Sequence, residues 1–356
     1  MKLSKKSLLL FLISLLIIFS AGCGGKDGQV EDLYIEDRPV ENVIAIKNQF
    51  NQLLDLSDQY LKESVNRTIT ADEVYHKIVI EESPDYLVVD IRSAADYSKG
   101  AIKTAVNIPL EFTANTYQLA SLPKDKTLIV VCYTGHMAGH TVPLWNMLGY
   151  DAVTMLNGMA GWTKSEVAGS VLPTTTFNFP LTTVSTEAQA KFAPPAFVDE
   201  TVGSVYELAR LKSKLFLESG KELVIRPADV QTNIGSENQY YVVDIRTADD
   251  YNKGHIQGAI HIPYEALAER DSLEKIPADK PVVLAGYHGT DGAQAARVLN
   301  QLGYDAYSLL YGMRLWSDNS ARIGYTAISA EVITNLPTVE LKYDLDASPA
   351  GSAGCS

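Results

Sequence analysis

The sequence predicts an α/β protein in which one folding unit occurs twice, each copy a mainly parallel sheet flanked by helices. Three observations carry this. First, Tyr86-Leu87-Val88-Val89-Asp90-Ile91-Arg92 returns as Tyr240-Tyr241-Val242-Val243-Asp244-Ile245-Arg246, a spacing of 154 residues that holds without a gap through Leu310-x-Gly312-Met313-x-x-Trp316. Second, Leu87 to Val89 and Leu128 to Val131 are short continuous apolar runs, the pattern of strands covered on both faces. Third, helical patterns with recognisable ends alternate with those runs, and such alternation places strands in parallel.

Each element follows from local chemistry. Val43, Ile46, Phe50, Leu53, Leu54, Tyr60 and Leu61 keep helical spacing ahead of the first unit, as Val205, Leu208, Leu211, Leu215 and Phe216 do ahead of the second. Thr70-Ala71-Asp72-Glu73 is a capping box that opens a helix. Pro227 takes the first helical place in the second copy, where its missing N–H costs nothing. A helix from Met137 through Leu148 follows the loop after the apolar strand, closes at Gly149 and is expected to bend at Pro143. Between the units, Pro173-Thr174-Thr175-Thr176, Pro180 and Pro194-Pro195 mark an extended linker draped over or between the domains. The expected organisation is a leader at 1–22, a tether at 23–40, a first domain at 41–168 and a linker at 169–203. A second domain then spans 204–340 and a flexible tail 341–356.

The leader has a basic start at Lys2, Lys5 and Lys6, an apolar run from Leu8 to Phe19, and then Ser20-Ala21-Gly22-Cys23. This is a secretory signal, its apolar run too short to span a membrane. The small residues before Cys23 resemble the bacterial lipobox, although Ser20 stands where Leu is usual. That resemblance implies cleavage before Cys23, lipid on its sulfur, and a location on the outer face of a bacterial cell membrane. The formal charge of −13 becomes more negative once the three leader lysines are lost, which disfavours nucleic acid as a partner. Three cysteines, Cys23, Cys132 and Cys355, are too few for a disulfide framework in a chain of this length. The histidines show no mutual ligand spacing, so no metal or cofactor is expected.

The repeat is asymmetric at one place. Cys132 ends the apolar strand of the first copy, and the second copy carries Gly286 there. The loop Cys132-Tyr133-Thr134-Gly135-His136-Met137-Ala138 joins a strand end to a helix N-terminus. Loop amides and helix dipole there can converge on a sulfur anion, which predicts a lowered thiol pKa and a nucleophilic thiolate. In the second copy Asp291 replaces Met137 and adds charge that opposes an anion. Asp90, Arg92, Asp244 and Arg246 occur in both copies, so a structural, loop-bracing role fits them better than catalysis. Trp162 and Trp316 read as packing residues.

With these residues in place, the chain resembles a tandem rhodanese-like domain protein of the sulfurtransferase family. The carrying motifs are the Val-Val-Asp90-Ile-Arg92 strand end, Asp96-Tyr97…Gly100-x-Ile102…Asn107-Ile108-Pro109, the Cys132 loop, Leu148-Gly149-Tyr150-Asp151, and Leu156-x-Gly158-x-x-x-Trp162. The resemblance implies a five-stranded parallel sheet in each domain and a catalytic Cys132 that carries sulfane sulfur as a persulfide. Residues 133–138 would form the substrate-binding loop. Partners would be a small sulfur donor and a thiol or cyanide acceptor. The loop departs from active relatives, which carry Arg where Met137 stands, often Arg at Tyr133, and a small hydroxyl at Ala138. That disfavours thiosulfate and favours a neutral or larger polysulfide or persulfide. His136 and His140 remain as residues that could be cationic there or simply solvated. Without Arg at position 138, phosphatase chemistry is disfavoured. Two alternatives stay open: a scaffold that binds partners at the cell surface, with a protein partner on the second domain, and a redox sensor pairing Cys132 with Cys355.

Overall fold

The computed structural model describes residues 49–63, 67–188, 191–196, 202–236 and 239–340. The leader, Cys23, the tether, Val43 and Ile46 of the first helical stripe, and the tail with Cys355 lie outside the described residues. Among those described, no helix is long and apolar enough to cross a membrane.

The first repeat begins with helix α1 (Gln49–Glu63), strand β1 (Thr68–Ile69) and helix α2 (Ala71–Tyr75). It continues with β2 (Tyr86–Asp90), α3 (Ala94–Lys99), β3 (Val106–Asn107) and α4 (Thr116–Ala120). It ends with β4 (Thr127–Val131), α5 (His136–Met147), β5 (Asp151–Met155) and α6 (Gly158–Trp162). The second repeat runs through α7 (Val205–Glu218), β6 (Val224–Ile225), α8 (Pro227–Asn233), β7 (Tyr241–Asp244) and α9 (Ala248–Lys253). It closes with β8 (Ile260–His261), α10 (Arg270–Leu273), β9 (Val282–Ala285), α11 (Thr290–Gln301), β10 (Ala306–Leu309), α12 (Met313–Trp316) and α13 (Ser320–Ile323).

Both sheets are five-stranded, in orders β1-β5-β4-β2-β3 and β6-β10-β9-β7-β8. Every pairing within them is parallel. The central strands β4 and β9 therefore deliver their carboxyl ends, and the loops that follow, to the middle of each sheet edge, where α/β sheets place ligands. The Thr70–Glu73 capping box forms with both its bonds, and Pro227 is the first residue of α8. The loop helix starts one residue earlier than its periodicity predicts, at His136, and Pro143 is accommodated inside it.

The two repeats are joined far more closely than a linker between separate domains implies. One apolar cluster runs through both, with Leu53, Leu61 and Trp145 of the first beside Leu284, Val298 and Leu302 of the second. Burial of a side chain of this size contributes roughly 1.5–3 kcal/mol. Helices α5 and α11 cross where Gly139 meets its own counterpart: a Cβ on Gly139 would lie 2.9 Å from both the Ala293 Cβ and the Thr290 carbonyl oxygen. Contact between equivalent positions is what a local two-fold relation requires.

The chain after each repeat crosses to the other one. Phe179 N donates to Trp316 O (2.8 Å), and the Trp316 indole donates to Pro180 O (3.1 Å). Leu336 N donates to Trp162 O (2.6 Å), and the Trp162 indole donates to Pro337 O (2.9 Å). Antiparallel bridges Thr182–His255 and Ala101–Val339 complete the two arms. The linker is thus draped over the second repeat. Residues 334–339, which the sequence places with the second domain, lie on the first.

Candidate active site

Cys132 follows directly on β4 and is buried, 1 % exposed. Its Sγ accepts from the amides of Gly135 (3.1 Å) and Ala138 (3.4 Å). The chain turns back on itself at Gly135, whose φ of +91° suits glycine. Gly158 backs the loop: a Cβ there would fall on the Cys132 carbonyl oxygen and lie 2.8 Å from the amide nitrogens of Thr134 and Gly135. Met159 N and Ala160 N donate to the carbonyls of Cys132 (2.8 Å) and Tyr133 (2.9 Å). The Tyr133 hydroxyl donates to Asp96 Oδ2 at 2.6 Å and ties the loop to α3. Lys99 and that hydroxyl hold Asp96 well below the carboxylate range.

The electrostatics correct two expectations. Burial pushes the Cys132 thiol up, and the amides of Ala138, Thr134, Gly135 and Met137 pull it down without prevailing. The direction is thus opposite to the expected lowering, because burial outweighs the converging amides. His136 is neither solvated nor cationic. It is buried, its pKa is pushed down to about 3 by burial, and the charges of Arg314 and His288 act in the same direction. His140 is likewise buried and held well below its usual value, by burial first and then by Arg297. The loop keeps no positive charge of its own.

Two cations of the second repeat, Lys221 and Arg226, share a cleft with Met137, a cleft that Cys132 does not line. Met137 and Leu110 line a cleft of about 890 Å³ whose other wall includes Phe216, Leu223, Lys221 and Arg226. Lys221 pairs with Asp305, and Arg226 pairs with Asp229 at 2.8 Å. The single-copy reading of the loop missed these groups because they lie some ninety residues downstream.

The Asp–Arg pairs brace the loops, as their presence in both copies implies. Arg92 is fully buried, with Nη2 2.7 Å from Asp90 Oδ2 and donating to Gly100 O at 2.7 Å, while Nη1 donates to Val167 O at 2.6 Å. Arg246 repeats this with Asp244, Gly254 O (2.8 Å) and Ile323 O (2.9 Å).

The second loop has the same backbone but different contents. The Asp291 carboxylate turns back into the loop and accepts from the amides of Tyr287 (2.5 Å), Gly289 (2.9 Å), Gly292 (2.9 Å) and His288 (3.3 Å). A Cβ on Gly286 would fall on that carboxylate. Asp291 therefore does more than repel an anion: it is the anion, seated where the first repeat holds sulfur. Above it lies a cavity of about 130 Å³ lined by Tyr264, Tyr287, His288 and Gln294. Among the described residues no group of three or more His, Cys, Asp or Glu side chains is placed to hold a metal ion.

A family model for the rhodanese-like domain matches residues 70–165 and again 226–319. The chain belongs to the rhodanese-like domain family. It is similar to the thiosulfate sulfurtransferase GlpE of Shewanella oneidensis, 37% identical over 81 residues that make up 22% of this chain and 78% of that one. It is also similar to the enzyme of the same name from Pseudomonas fluorescens, 42% identical over 76 residues, 21% of this chain and 68% of that one. Among solved structures, a rhodanese-like domain protein from Staphylococcus aureus is 30% identical, covering 26% of this chain and 86% of that one, with a TM-score of 0.24.

Proposed function

We propose that the chain is a sulfurtransferase in which Cys132 carries sulfane sulfur as a persulfide, exported and held at the membrane by lipid on Cys23. The observation that carries the chemistry is the Cys132 Sγ at the focus of the Gly135 and Ala138 amides. The thiosulfate sulfurtransferases similar to it support the reaction class.

The Cys132 sulfur attacks the donor's outer sulfur. A new S–S bond forms as the donor's S–S bond breaks, and the leaving group departs with the electron pair and takes up the thiol proton. With thiosulfate the leaving species is hydrogensulfite. The persulfide anion is then stabilised by the loop amides and the N-terminus of α5. Cyanide or an acceptor thiolate takes the outer sulfur, and Cys132 leaves as thiolate. The loop's own lack of cations disfavours thiosulfate and favours a neutral or larger polysulfide or persulfide as donor.

Cyanide-dependent thiocyanate formation, with thiosulfate and polysulfide as donors, tests the reaction. The wild type turns over and Cys132→Ser loses on the order of a thousandfold or more. Equal rates in the two proteins would refute it. The raised thiol pKa favours one rival, a scaffold role for both repeats, which predicts no turnover with any donor. Anchoring is tested by metabolic labelling with a fatty acid: label on the wild type and none on Cys23→Ala is expected, and an unlabelled wild type contradicts it.

A further inference from the structure

Tyr311 has a backbone that a bulky residue rarely adopts, φ +55°. Its counterpart in the first repeat, Asn157, has φ +65°, a conformation Asn tolerates far better. Such strain persists where the surroundings impose it and clusters at functional sites. Here the surroundings belong to the first repeat. The Tyr311 amide donates to His136 Nε2 at 2.9 Å, and the two rings meet edge to face with centroids 4.7 Å apart. Because Nε2 accepts that bond, the ring proton of neutral His136 sits on Nδ1, which lies 3.1 Å from Thr134 Oγ1. The Tyr311 phenol also interacts with the Thr134 side chain. Thr134 in turn contributes one of the amides that face the Cys132 sulfur.

Nothing nearby leaves His136 free to turn. A Cβ on Gly289 would lie 2.6 Å from its Nε2, so the second loop presses on the ring through a glycine. On the other side of the local two-fold, Arg314 donates to Asn157 Oδ1, so each of the paired positions 157 and 311 is tied to the opposite repeat.

We infer that Tyr311 of the second repeat is a positioning residue for the Cys132 site. Its amide fixes the tautomer of His136, His136 and the Tyr311 phenol fix Thr134, and Thr134 holds the amide cradle closed around the sulfur. The cysteine-free repeat thereby completes the site of the other. This rests on the persulfide reading for its consequence in turnover but not for its geometry.

Nitrogen NMR of the histidine rings is the direct test, since it reads His136 whether or not Cys132 accepts sulfur. In the wild type His136 carries its proton on Nδ1 and stays neutral at pH 5. Tyr311→Gly keeps the backbone amide but removes the ring packed edge to face on His136, so water reaches the imidazole and its pKa moves up toward the ordinary histidine value of about 6.5. In thiocyanate formation Tyr311→Gly lowers kcat about tenfold to a hundredfold with KM little changed, as expected for a misplaced reacting group. Tyr311→Phe, which keeps the ring on His136 and loses only the hydroxyl that meets Thr134, shows an unchanged His136 spectrum and a smaller loss of kcat. His136→Gln, whose amide can accept from Tyr311 and donate to Thr134, retains more activity than His136→Leu. A wild-type His136 protonated on Nε2, or a Tyr311→Gly protein with unaltered His136 titration, would overturn the inference. A wild type that fails to form persulfide, with the His136 spectrum as described, defeats the sulfurtransferase reading alone.

Discussion

The loops 132–138 and 286–292 share a strand, a left-handed glycine and a twelve-residue helix, yet one holds a thiol and the other a carboxylate. In the first, two amides donate to Cys132 Sγ at 3.1 and 3.4 Å. In the second, four amides donate to Asp291 between 2.5 and 3.3 Å. The cradle is therefore a property of the backbone, and the side chains decide what fills it. Convergent amides seek an anion or a polarisable acceptor. The first repeat leaves the place to the Cys132 sulfur, and the second satisfies it permanently from within. The two repeats also divide their contents: the repeat without the cysteine brings Tyr311, Arg314 and one wall of the cleft against the repeat that has it.

The comparison is broken most sharply by exchanging contents. Gly286→Cys alone puts a Cβ onto the Asp291 carboxylate and yields a destabilised protein with no second persulfide. Gly286→Cys with Asp291→Met empties the cradle for the new thiol, and a second cyanide-labile sulfur per chain then forms with polysulfide. If the double variant binds none, the two backbones are not equivalent. Asp291→Ala, which leaves buried amides without their acceptor, lowers unfolding free energy by about 3 kcal/mol in denaturant titration. Met137→Ala in the first loop costs less, because Met137 accepts no such bonds.

Acid sharpens the contrast next. His136 has a folded-state pKa of about 3, below its unfolded value of 6.5. A depressed folded pKa stabilises above the unfolded value and loses that contribution as pH falls. Between pH 7 and pH 5 His136 therefore removes about 2 kcal/mol of stability, and His140 and His288 act in the same direction. His136→Gln shows a shallower acid dependence in denaturant titrations across that window, and an equal slope would contradict the buried neutral ring. The smallest effect is expected from Met137→Arg, which restores a fixed charge at the cleft. It lowers KM for thiosulfate about tenfold, about 1.4 kcal/mol, and changes little for a neutral donor.

Much of the fold was legible because local chemistry and repeat agreed. Apolar runs, the Thr70–Glu73 box, Pro227 and the position of Cys132 at a strand end all led to the observed elements. What escaped the sequence lies across the local two-fold. A linear reading leaves His136 either cationic or solvated, because Tyr311, which packs on it, is 175 positions away. It treats Asp291 as a repulsive charge, because only the folded loop shows the carboxylate turned inward. The thiol pKa failed for a related reason: loop dipoles can be read from spacing, but the burial that outweighs them depends on packing. Asn157 and Tyr311 stood in the unmatched place of the Leu-x-Gly-Met motif, and their left-handed backbone became visible only beside Gly158 and Gly312.

We propose that the first cradle takes up sulfur and the second does not. Peptide mass spectrometry after incubation of the intact protein with polysulfide tests it most directly. One added sulfur on the peptide containing Cys132, removed by cyanide and absent from Cys132→Ser, is the predicted result. An unmodified Cys132 with every donor tried would contradict it.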